Sequence, residues 1–263
     1  MKKNQTNSPT SKTTAPLNDT QLLGLIETIT HCDQLADIPY GRRTLTVEDR
    51  VLLTLDYLSE NRTEQALAKT YRISQPTVSR IISTFTDLIA GLLEKHRPTP
   101  ADFETFVGTL VIDGTLVTCW DWNDHHDLYS GKHKTTGLNL QVACDLDGHL
   151  MWAPDPKPGA WHDLRCIRES NFPDPEGQPW NVTADKGYIG WHCTHPIRKP
   201  RNGSLTQEDK DYNRQVNSYR AVIERVNAHL KNWHILKTRY RRPIEDFTNV
   251  IRAIIGMMFY NGL

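Results

Sequence analysis

The sequence predicts an α/β fold, a mixed sheet flanked by helices, preceded by an all-α domain that carries a helix-turn-helix. Three observations lead there. Apolar residues recur at helical spacing as far as Ile89, and the period then switches to short extended runs near 109–112, 138–144 and 180–184. The switch falls on a stiff segment, His96-Arg97-Pro98-Thr99-Pro100. Helical periodicity returns around Tyr219 to Trp233 and from about Glu245 to Tyr260, supplying helices to cover the faces of a sheet.

Residues 1–19 read as a flexible polar tail, because two lysines with no apolar core behind them do not make a secretory signal. Asp19 or Thr20 caps a first helix with Leu22, Leu23, Ile26 and Ile29 at helical spacing, and Pro39 with Gly41 breaks the pattern. Thr46-Val47-Glu48-Asp49 is a capping box, followed by a stripe of Val47, Val51, Leu52, Leu55 and Leu58. A short helix around Thr63 to Tyr71, a turn at Arg72 and Ile73, and a longer helix from Ser74 have the spacing of a helix-turn-helix. Val78, Ile81, Ile82, Phe85, Leu88 and Ile89 face inward, which leaves Gln75, Thr77, Ser79 and Arg80 outside. Their amide, hydroxyl and guanidinium groups suit base edges and phosphates, and Pro76 is tolerated in a first turn. A plain helical bundle with a solvated polar face fits the same pattern. The helical, DNA-binding domain is assigned to 20–97 and the second domain to 101–263.

Thr109 to Ile112 is a continuous apolar run ending at Asp113-Gly114, as in a strand buried on both faces. Leu138, Leu140, Val142 and Cys144 alternate with Asn139, Gln141 and Ala143, and Asp147-Gly148 turns the chain into a hairpin with His149 to Ala153. A helix near Leu164 to Glu169 and a strand near Trp180 to Ala184 follow, the strand ending at Asp185-Lys186-Gly187.

Composition narrows the function. Seven Trp, nine Tyr and a 38% hydrophobic fraction exclude a fully disordered chain, and Arg252 interrupts the longest apolar stretch, which excludes a membrane span. Five cysteines at wide intervals, with no C-x-x-C pair, argue against a disulfide framework and a zinc ribbon and favour a reducing interior. The net charge is zero, yet Ala101 to Asp185 holds 5 Lys and Arg against 14 Asp and Glu, while Arg198 to Arg242 holds 12 against 4. That polarity fits either mutual neutralisation across a fold or a carboxylate site beside a basic track for a polyanion.

Asp113 and Asp185 share one local grammar: each ends an expected strand and is followed within two positions by glycine. If those strands are adjacent and parallel, the carboxylates meet at one sheet edge, where a divalent cation such as magnesium or manganese relieves their repulsion. Taken singly, each is an ordinary turn aspartate. Glu224 is the candidate third carboxylate, being the only acidic residue between Asp211 and Glu245, although a solvated glutamate paired with Arg220 or Lys231 fits too. Lys132 and Lys134 flank a loop near the acidic strands and are candidate phosphate contacts. Asp163 stands where a helix N-cap is wanted. His125, His126 and Asp127, like His192, Cys193 and His195, lack tetrahedral zinc spacing and read as loop residues.

Five blocks resemble the DDE transposases of the Harbinger and bacterial insertion-sequence-five kind: Val111-Ile112-Asp113-Gly114-Thr115, Tyr129 to Lys134 leading into Gly137 to Val142, Pro158 to Asp163, Ala184 to Tyr188, and Ile223 to Trp233. The resemblance implies an RNase H-like core in which Asp113, Asp185 and Glu224 are the catalytic, metal-binding triad for two Mg²⁺ (or Mn²⁺) ions. It further implies a transposase that cuts double-stranded DNA at transposon ends and joins the 3′-OH to target DNA, working as a homo-oligomer on DNA; the compact length and the absence of a nuclear-type basic run favour a bacterial cytoplasm. Trp161 is larger than the residue usual before the His162-Asp163 pair. The rival reading is a non-catalytic DNA-binding protein derived from a transposase.

Overall fold

The computed structural model describes residues 13–32, 45–120 and 124–262, so the expected helix breakers Pro39 and Gly41 and most of the expected tail lie outside the described residues. Helix α1 (Asp19–Thr30) is capped by Asn18, whose side chain accepts from Gln21 N while the Gln21 side chain returns the bond. The expected caps Asp19 and Thr20 are therefore the first two helical residues, where the negative charge of Asp19 favours the helix start. Leu25 and Ile29 are the buried positions of α1, and Leu23 points outward.

Helix α2 (Val47–Glu60) starts at the expected box, with Thr46 and Asp49 bonded reciprocally. Every residue from Arg50 to Ser59 is buried, so α2 is the centre of the helical layer and not an amphipathic lid. Helix α3 (Glu64–Tyr71) ends on Arg72 in the left-handed region (φ 54°), and α4 (Gln75–Leu93) follows after Ser74 with Pro76 in its first turn. The buried face of α4 contains every expected inward residue.

Six strands form one sheet: β1 (Gly108–Thr118), β2 (Tyr129–Ser130), β3 (Thr135–Cys144), β4 (Leu150–Trp152), β5 (Lys157–Pro158) and β6 (Trp180–Thr183). The main order is β2-β3-β1-β6, with β4 and β5 also paired to β3. β1 is antiparallel to β3 and parallel to β6. One strand ran longer than expected: β1 continues through Asp113 to Thr118, because β3 goes on pairing with it as far as Thr118↔Gly137 after β6 has stopped at Val111↔Thr183.

Helix α5 (Asp163–Arg168) packs with one sheet face, where Leu110, Ile112, Val182 and Trp180 join Phe103, Trp152 and Phe172. On the other face Val111, Val117, Leu140 and Val142 meet α6 (Gln207–Leu230) and the short α7 (His234–Lys237). α6 begins twelve residues before the expected Tyr219 and ends before Trp233, and Tyr219 is exposed, so the inward stripe starts at Val222. Helix α8 (Phe247–Tyr260) lies along α4, close enough that a Cβ on Gly256 would stand 2.8 Å from Leu93 Cβ. The helical layer, α8 and the α6 side of the sheet thereby share one apolar core. The fold is thus a mixed α/β sheet flanked by helices and joined to a helix-turn-helix.

Candidate active site

Asp113 sits in β1 two residues past its last pairing with β6, and Asp185 sits two residues past the end of that same pairing on β6. The parallel pairing ends two residues before each aspartate, so the two strands run toward Asp113 and Asp185 in the same direction. Asp185 accepts from Gly187 N at 2.6 Å and so starts the single 3₁₀ turn Lys186–Tyr188. Asp113 accepts from Asn227 Nδ2 of α6 at 3.1 Å. That bond pins the helix carrying Glu224 to the strand carrying Asp113.

Asp113 and Glu224 line one cavity of about 590 Å³ that runs along β1 between α6 and the start of β3. Glu224, Asn227, Ala228 and Lys231 are the helix residues lining it, at the i, i+3, i+4, i+7 spacing of a single face. Burial pushes the Asp113 carboxyl up to about 6; the Arg220 guanidinium opposes this, and the negative charges of Asp185 and Asp163 add to it. Asn227 Oδ1 is buried without a protein partner beside this carboxylate.

Asp163 is not the cap of α5. His162 takes that place by accepting from Arg165 N through Nδ1 at 3.2 Å, which leaves the Asp163 side chain free to turn inward. Its Oδ1 accepts from Asn139 Nδ2 at 2.9 Å and its Oδ2 from Lys132 Nζ at 3.1 Å. Asn139, Gln141 and Tyr188 are further polar residues of this region that sequence reasoning did not single out. The signal for Asn139 and Gln141 was present in the polar positions of the β3 alternation, which are buried here.

Lys132 and Lys134 lie in the turn between β2 and β3 and neither lines the cavity; Lys134 is exposed in the left-handed region (φ 54°). On α4, Gln75 and Arg80 are exposed, Thr77 Oγ1 bonds Ser74 Oγ at 2.8 Å, and Gln75 is bonded to Glu64. Ser79 is half-buried and accepts from Arg242 Nη1 at 3.1 Å, so it faces the C-terminal segment and not open solvent. Arg242 is also paired with Glu64, and Arg241 reaches Asn61, so these two arginines of the expected basic track brace the helix-turn-helix. Among the described residues, the tight ligand group is Asp145, Asp147 and His149, all within 4.8 Å of one another, and the expected triad does not close into such a group. Asp145 there accepts three successive backbone N–H groups of the hairpin, which explains the cluster as turn structure. His192 is engaged with Asp174 at 2.9 Å, consistent with a loop histidine. No described helix is long and apolar enough to cross a membrane.

A helix-turn-helix joined to a mixed sheet with aspartates on and beside its central strands is the class of protein these features define. The chain belongs to the DDE superfamily endonucleases: residues 112–258 match that family, and residues 43–95 match the helix-turn-helix of the same superfamily. It is 27% identical over 84% of its length, and 83% of the relative's, to the protein of Microchaete diplosiphon named probable transposase for insertion sequence element IS702. It is 30% identical over 74% of its length, and 72% of the relative's, to a protein of Streptomyces albus G named as a transposase for insertion sequence element IS112. A Xenopus laevis protein named as the nuclease HARBI1 is 22% identical over 72% of this chain and 59% of its own. No solved structure matches the chain significantly.

Proposed function

We propose that this insertion-sequence type transposase cuts DNA at element ends with Asp113, Asp185 and Glu224 and joins the freed 3′-OH to target DNA. The observation that supports the reading is the parallel pairing of β1 and β6, which ends two residues before both Asp113 and Asp185, while Asn227 ties the helix of Glu224 to Asp113. The donor set fits divalent metal: hard carboxylate oxygens, an Asp113 carboxyl raised by burial and further by the charges of Asp185 and Asp163, and an unpartnered amide oxygen on Asn227. Asp113, Asp185 and Glu224 would hold two Mg²⁺ or Mn²⁺ ions. When bound, the ions supply activation of the attacking oxygen and stabilisation of the leaving one. The carboxylates hold charge and take no part as nucleophiles. Exposed Gln75 and Arg80 on α4 supply groups for base edges at the ends, with Thr77 beside them and Ser79 given over to Arg242, and Lys132 and Lys134 supply phosphate contacts. Assembly of copies on the two ends, in a bacterial cytoplasm, completes the reading.

The test is Mg²⁺-dependent nicking of a labelled element end by purified protein, with precut ends and target supplied separately to detect joined product. Asp113→Asn and Asp185→Asn should abolish cutting and leave end binding intact. Glu224→Gln should be milder and partly recovered by raised Mn²⁺. Normal cutting by the Asn variants overturns the triad. Binding without cutting in any divalent metal favours the non-catalytic DNA-binding protein.

A further inference from the structure

A continuous chain of side-chain hydrogen bonds runs beneath the carboxylates. Tyr188 Oη donates to Gln141 Oε1 at 2.6 Å, Gln141 Nε2 to Asn139 Oδ1 at 2.7 Å, and Asn139 Nδ2 to Asp163 Oδ1 at 2.9 Å. Lys132 Nζ closes the chain from the other side on Asp163 Oδ2 at 3.1 Å. Tyr188, Gln141, Asn139 and Asp163 are all buried, whereas the Lys132 side chain is 60% exposed. The Asp163 carboxylate is thereby held from two sides, Oδ1 by the Asn139 amide and Oδ2 by the Lys132 ammonium.

Two glycines record how closely that carboxylate is held. A Cβ on Gly114, directly after Asp113, would lie 2.3 Å from Asp163 Oδ1; a Cβ on Gly187, two after Asp185, would lie 3.1 Å from Asp163 Oδ2. Gly187 also faces Asp185 Oδ1, at 2.8 Å, and its N–H is bonded to that oxygen. Asp163 therefore occupies the space that both glycines vacate, against the backbone that follows each aspartate.

We propose that Asp163 is a positioning residue: it holds the Lys132 ammonium beside Asp113 and Asp185, where that ammonium meets the negative charge developing on the phosphate oxygens during cleavage. Two of the three ammonium protons remain available after the bond to Asp163. The proposal rests on the DNA-cleavage reading of the site. A fixed cation aimed at developing charge lowers the barrier without strengthening ground-state binding, so its loss appears in kcat and not in KM.

The experiment is a double-mutant cycle with Asp163→Asn and Lys132→Met, read in two ways. In Mg²⁺-dependent nicking, each single variant should lose at least about tenfold in kcat with KM for end DNA within about twofold of the parent, and the double variant should fall no further than the weaker single. Lys132→Arg, which keeps the ion pair, should recover part of the rate. In metal-free protein, Lys132→Met leaves the Asp163 carboxylate buried without its cation, so adding Asp163→Asn should restore melting temperature toward the parent. Multiplicative rate losses, a change confined to KM, normal cutting by Asp163→Asn, or strictly additive melting shifts would each overturn the proposal. If the unmodified protein fails to cut in every divalent metal supplied, the cleavage reading fails and the catalytic role with it; the melting cycle then still reports whether the two residues are coupled.

Discussion

At the scale of single residues, the raised Asp113 carboxyl has a consequence for stability. Its folded pKa, about 6, lies above the ordinary aspartate value, so between roughly pH 4 and 6 the folded state binds the proton more tightly than the unfolded chain does. Stability therefore falls as pH rises through that window, and the penalty is complete above it. Asp113→Asn should melt higher than the parent in metal-free buffer at pH 7.5, by roughly 1–3 kcal/mol, with the gap closing toward pH 4. A gap that widened on acidification would contradict the burial of this charge. A second outcome concerns α4: Arg80→Ala should cost about 1–3 kcal/mol on element-end DNA and less on random DNA, measured by competition binding. Equal losses would make Arg80 a phosphate contact. The Asp-Gly and Asp-Lys-Gly endings were legible as candidate site residues from spacing alone. The fate of Asp163 was not, because the choice between capping and turning inward depends on His162 accepting from Arg165 and on Asn139 arriving from a distant strand.

Between elements, the contact of α4 with α8 is set by Gly256 against Leu93. Gly256→Ala places a methyl group against a side-chain Cβ and backbone, neither of which can rotate away, so the helices must separate. We expect a loss of about 1–3 kcal/mol by denaturant unfolding, although alanine is the better helix former. An unchanged midpoint would mean that α8 slides to accommodate the methyl. The starts of α2 and α4 were legible because capping and turn chemistry are local, as Thr46 and Asp49 illustrate. The length of β1 was not: the apolar run ends at Ile112, and only the continued pairing with β3 carries the strand on to Thr118. Likewise the first half of α6 is polar and mostly exposed, so no apolar stripe announced it.

Over the whole molecule, the charge polarity seen in the sequence divides into two parts. Arg242 is braced by Glu64, Asp246 and Ser79, and Arg241 by Asn61, so these charges serve the join between the C-terminal segment and the helix-turn-helix. Arg242→Ala should lower the melting temperature by an amount equivalent to about 3 kcal/mol or more, since Glu64 is left half-buried without its cation. Replacing Arg239 alone should instead flatten the plot of log affinity against log salt by up to about one unit if it meets a phosphate. An unaltered slope would assign Arg239 to internal neutralisation as well. Composition could announce an excess of positive charge but not which arginines were already spent on carboxylates, because Glu64 and Arg242 are far apart in the chain.

The seating of α8 on α4 also imposes an order in time. The helix that presents Gln75 and Arg80 leaves the ribosome well over a hundred residues before the helix that supports its inner face. At ordinary rates of synthesis that interval is roughly ten to thirty seconds. During it, the inner face of α4 already has α2 and α3 to pack against, while Leu93 waits for α8. The face of α4 proposed to meet DNA gains this support only once α8 has emerged, and a product terminated before α8 would lack it.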